Sequence, residues 1–83
     1  MMFSQDIVDE LNVILRFSLA SLQQGIKVHS SAEPEVIEAT KRLCTKGIIT
    51  QDDGGYLTDL GVEAEELANK LLSILSSKSE ITP

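Results

Sequence analysis

The sequence predicts a small α+β domain, and three observations carry that reading. Apolar residues recur at helical spacing in three separate segments. A hairpin signal lies between the last two of these segments, and the short alternating run Ile26-Lys27-Val28 adds a third strand. The most explicit stretch is KGIITQDDGGYLTDLG, residues 46 to 61, which spells out a helix end, a hairpin and a helix start. Gly47 stands where a helix closes on a left-handed residue, and Ile48 to Gln51 follow as a β-branched strand. Asp53-Gly54 is a tight-turn dipeptide, Tyr56 to Thr58 form the return strand, and Thr58 is placed to cap the next helix.

The remaining elements follow in order. Phe3-Ser4 opens the first helix, with Ser4 as N-cap and Phe3 stapling onto Val8. Ile7, Val8, Leu11, Ile14 and Leu15 are its expected core face, while Asp6, Asp9 and Glu10 suit the positive end of the helix dipole. Leu19, Leu22 and the stop at Gly25 extend that helix or start a short second one through Gln24. Ser30 with Glu33 has capping-box spacing ahead of Pro34, so the next helix spans Glu33 to Lys46. Val36, Ile37, Ala39, Thr40, Leu43 and Cys44 share its inner face, leaving Glu38, Lys41, Arg42 and Thr45 outward. The last helix carries Leu60, Ala64, Leu67, Leu71 and Ile74 in steps of four and three, and Ala68, Leu72 and Leu75 widen that stripe. Residues 1–75 are read as a single domain and 76–83, serine-rich and aperiodic, as a flexible tail.

Composition narrows the function classes. With 83 residues, a chain buries only about 60% of its unfolded surface, which leaves no room for a deep catalytic cleft. Two Phe and one Tyr imply an aliphatic core. The single cysteine, Cys44, forms no intramolecular disulfide, and the N-terminus lacks a charged segment followed by an apolar run, so a cytoplasmic protein is expected. No apolar stretch reaches the roughly 20 residues that span a bilayer. Seven Lys and Arg against thirteen Asp and Glu give a net charge of −6. Phosphate backbones repel such a chain unless its few bases cluster.

Two surfaces are candidates. Lys41, Arg42 and Lys46 lie on the helix before the hairpin, and with Lys27 they are the candidate nucleic-acid contacts. Against that use, Glu35 and Glu38 share the exposed face, Glu38 is spaced to pair with Arg42, and bases in a last turn suit the dipole in any case. The first turns of this helix present no Asn, Gln or Arg for base reading, and the Asp52-Asp53 tip opposes phosphate. The second surface is the wide stripe of the last helix, with Leu67, Leu71, Leu72 and Leu75 as a candidate protein interface. No catalytic constellation, metal site or cofactor site is expected. His29 and Cys44 lie in different elements without further ligands. Asp52-Asp53-Gly54-Gly55 is a turn, because a calcium loop would need Glu where Leu60 or Gly61 stands.

The C-terminal two thirds resembles the winged-helix superfamily, on the helix, the KGIITQ strand, the DDGG wing, the YLT strand and the LTDLG helix start. That implies a winged-helix-like fold: helix, short helix, short strand, helix, β-hairpin wing, long C-terminal helix. One uninterrupted helical pattern between Val28 and Ile48 departs from a helix-turn-helix. Over its full length, with QQGIKVH and EATKRLCTKGIITQDDGGYLTDLG, the chain resembles a small bacterial family without an assigned activity. Some members of that family carry a label relating them to inhibitors of DNA-binding proteins. The resulting expectation is a non-enzymatic protein-interaction module acting on a DNA-binding or transcription partner, as a monomer or homodimer. The alternative is a weak or partner-assisted DNA-binding transcriptional regulator using Lys27, Lys41, Arg42 and Lys46.

Overall fold

The computed structural model describes residues 1–19 and 25–77. Three helices pack around a three-stranded antiparallel sheet, in the order α1 (Gln5–Leu19), β1 (Ile26–Lys27), α2 (Pro34–Thr45), β2 (Ile49–Gln51), β3 (Gly54–Leu57) and α3 (Asp59–Ser76). The α+β class and the pairing of the Ile26 run with the hairpin are as the sequence predicts. Leu19 ends α1 and Ser76, the first residue of the expected tail, still belongs to α3; the rest of the 19–24 segment, expected as a short second helix, and residues 78–83 of the tail lie outside the described residues.

Local rules place most element ends. The Ile7 amide donates to the Ser4 hydroxyl at 3.3 Å, so Ser4 caps α1 as expected. Gly47 follows α2 at φ 78°, and the Ile48 amide returns to the Leu43 carbonyl. Thr58 caps α3 by accepting from the Gly61 amide at 3.0 Å. Its hydroxyl also donates to the Gly47 carbonyl at 2.5 Å, tying the α3 start to the α2 exit.

The start of α2 differs from the capping-box expectation. Glu33 is the N-cap, without a side-chain cap bond, and Pro34 occupies the first turn. A residue before proline is held extended, here at ψ 142°, so the helix starts after Glu33. Ser30 lies instead in the turn that joins the Ala32 amide to the His29 carbonyl.

The hairpin differs by one register step. Asp52 and Asp53 form the turn and β3 begins at Gly54, two residues earlier than the Tyr56 start expected from sequence. Neither aspartate adopts positive φ, so the Asp53-Gly54 primed turn does not form. Gly54 (φ 131°) and Gly55 (φ 77°) take up the twist, with a register irregularity between Ile49 and Gln51. Strand β3 is central in the order β1-β3-β2, with Ile26 opposite Gly55 and Lys27 opposite Gly54. The Val28 amide extends that edge to the Asp53 carbonyl at 2.7 Å.

The core is centred on Val13, Ile14 and Phe17 of α1, Ala39 and Leu43 of α2, Ile49 of β2 and Ala68 of α3. Cys44 packs against it at half exposure, in line with its expected place on the inner face. The buried face of α1 is therefore rotated from the predicted one. Leu11 and Leu15 only flank the core, and Ile7 is exposed. The rotated face includes Glu10, which is only 5% exposed.

Candidate functional site

Burial of Glu10 organises the first of three features. One turn before Val13 and Ile14, its carboxylate faces α2, where it accepts from Arg42 Nε at 2.7 Å and from Lys46 Nζ at 2.6 Å. Arg42 reaches Asp6 as well, at 3.8 Å. Burial alone pushes the Glu10 carboxyl up, and the hydrogen bonds from Lys46 and Arg42 together with their charges outweigh it, holding it below the usual carboxylate value. The Arg42 guanidinium is pushed up in turn, chiefly by its hydrogen bond to Glu10.

This arrangement accounts for two of the four candidate bases. The other two, Lys27 and Lys41, line a cleft of about 490 Å³ between the β1–α2 connection, α2 and the hairpin turn, with Val28 and Ile37 as its apolar part. His29, Ser30, Asp52 and Asp53 complete its polar wall. Lys27 lies 3.9 Å from Asp53, and Lys41 lies 3.7 Å from Glu38. Glu38 thus pairs with Lys41 rather than Arg42, because Arg42 is turned inward to Glu10. The fold splits the four bases into two pairs and sets a carboxylate beside each. Among the described residues, no three His, Cys, Asp or Glu side chains form a metal-binding group.

The third feature is apolar. Helices α1 and α3 run antiparallel, with Ser18 of α1 joined to Glu65 and Asn69 of α3. Toward the other end, a groove of about 240 Å³ opens between them. Phe3, Val8, Leu11 and Leu15 form one wall, and Leu71, Leu72 and Leu75 form the other above Ala68. Leu72 is 46% and Leu75 is 74% exposed.

Of the residues expected at a protein interface, the structure brings Leu71, Leu72 and Leu75 together and leaves Leu67 outside the groove, 61% exposed. The α1 wall was missed because Val8, Leu11 and Leu15 read equally well as core. The signal that separates them is Glu10: α1 carries two apolar stripes, and only the stripe with Glu10 faces the bases of α2.

A small α+β domain with a solvent-facing apolar groove and internally paired bases is the class these features define. The chain belongs to a family of unknown function, DUF5669, which it matches over residues 1–76, from the N-terminus through α3. No curated protein and no solved structure matches it. No helix among the described residues is long and apolar enough to cross a membrane.

Proposed function

We propose that this protein is a non-enzymatic protein-interaction module of winged-helix-like build, which receives apolar side chains of a basic partner, such as a DNA-binding or transcription protein, in the α1–α3 groove. The groove carries the reading. Leucines at 72 and 75 standing open to water opposite Val8, Leu11 and Leu15 form an apolar site that no other described residue fills. The net charge of −6 favours a basic partner. In the winged-helix-like reading the β2–β3 hairpin is the wing, and its Asp52-Asp53 tip turns phosphate away.

The test compares the wild type with the double variant Leu72→Glu, Leu75→Glu, whose helix content is checked by circular dichroism. Retention of a basic protein by the wild type and its loss in the folded variant is the expected result. Equal retention by both would remove the groove from the account. Duplex DNA is titrated in parallel by anisotropy at low salt. Saturable binding tighter than about 10 μM that vanishes with added salt and with Lys41→Glu would establish the nucleic-acid alternative instead.

A further inference from the structure

We propose that α3 also packs antiparallel against α3 of a second copy of this chain, along the seam Leu60, Ala64, Leu67, Leu71 and Ile74. This goes beyond the groove reading and uses the adjacent face of the helix, with Leu71 on the border between the two. The seam residues recur in steps of four, three, four and three, the repeat of a coiled-coil contact. At about 100° per residue they fall to one side of the buried Gly61 and Ala68. The four large ones, Leu60, Leu67, Leu71 and Ile74, are 53%, 61%, 41% and 60% exposed. Among the described residues, nothing covers these four side chains, while Ala64 packs inward against the core.

Charge selects the occupant and its register. Glu63 and Lys70 border the outer edge of the seam and are both exposed. Among the described residues, no carboxylate lies within ion-pair distance of Lys70, whereas Lys27, Lys41, Arg42 and Lys46 each have one. A parallel pairing of two seams would set Glu63 and Lys70 against Ala68 and Leu75 of the second copy. An antiparallel pairing with Leu67 opposite Leu71 would set Lys70 against Lys70. The antiparallel register with Leu60 opposite Leu71 and Ala64 opposite Leu67 sets Glu63 against Lys70 twice, once on each side of the two-fold axis. It also places the small Ala64 against the protruding Leu67. The seam is therefore self-complementary in both shape and charge in this one register.

Sedimentation velocity on the full chain, from micromolar to millimolar concentration, tests the proposal. A reversible monomer–dimer equilibrium is expected, with Leu67→Glu monomeric throughout. Glu63→Lys or Lys70→Glu alone exchanges two attractive contacts for two repulsive ones and should weaken association about tenfold. The double reversal Glu63→Lys, Lys70→Glu should restore it. These positions are exposed, so the variants keep their helix content. A monomer at all concentrations, or a double reversal no better than the single ones, overturns the proposal. A monomer that still holds a partner through Leu72 and Leu75 overturns the dimer and leaves the groove reading standing.

Discussion

Replacing Glu10 with Gln removes the charge that Arg42 and Lys46 surround while keeping the side-chain volume. The buried amide then turns a donor toward a guanidinium and an ammonium, which are themselves donors. Breaking a fully buried ion pair by removing one partner costs about 3–5 kcal/mol, and a hydrogen bond to a charged group contributes about 1.5–3 kcal/mol. Here the Arg42 and Lys46 side chains are 31% and 47% exposed, so both reach water once released. The loss is accordingly expected near the low end, about 2 kcal/mol. For a domain of this size that lowers Tm by about 8–16 °C at neutral pH.

The pH dependence has a definite sign. The folded Glu10 carboxyl titrates below its ordinary value of 4.5, so its contribution is complete above that value and is lost as pH falls through the lower folded one. The gap between wild type and Glu10→Gln should therefore narrow as melts are taken from neutral pH to about pH 3. Thermal melts followed by circular dichroism measure both effects. A Glu10→Gln protein melting within about 2 °C of wild type at neutral pH, or a gap that stays constant in acid, would refute the reasoning.

Three further outcomes are expected. Gly61→Ala places a methyl group against the Ile48 carbonyl, a backbone atom that cannot swing aside, and should cost about 1–3 kcal/mol in chemical denaturation. Thr58→Ala removes the α3 cap and the bond to Gly47, and should cost about 1–2 kcal/mol by the same measurement. Leu75→Ser acts on a side chain 74% exposed and should change the unfolding free energy by no more than about 0.5 kcal/mol, while partner retention falls.

The elements legible in the sequence are those fixed within a few residues. Gly47 needs a left-handed conformation, Ser4 and Thr58 reach amides three residues on, and the apolar steps of α2 select its inner face, whereas the four-and-three steps of α3 mark a stripe that stands exposed beside the buried Gly61 and Ala68. The hairpin was legible as a hairpin but not in register, because turn type depends on which strand lies beside Gly54 and Gly55. That neighbour is β1, more than twenty-five positions earlier in the chain. The buried face of α1 was hidden for a related reason. Its two apolar stripes are equivalent until Glu10 is matched to Arg42 and Lys46, which lie 32 and 36 residues away. The groove followed the same course. Its α3 wall was visible as surplus leucine, and its α1 wall became visible only after the core had claimed Val13, Ile14 and Phe17.

The Glu10 centre also bears on the choice between a protein partner and DNA. Helix α2 precedes the hairpin, the position from which a winged-helix-like domain would present bases to phosphate. For Arg42 and Lys46 to turn to a duplex, they would leave a carboxylate that is 5% exposed without either counter-charge. An abandoned buried charge costs about 3–5 kcal/mol, comparable to the advantage of several phosphate contacts at moderate salt. Lys27 and Lys41 face a smaller obstacle, since their carboxylate partners are exposed, but the same cleft holds Asp52 and Asp53. A basic protein docking on the α1–α3 groove disturbs none of these pairs. In the proposed function such a partner would gain from the net negative charge and would bury Leu72 and Leu75, so the internal ion pairs weigh for the groove and against the phosphate backbone.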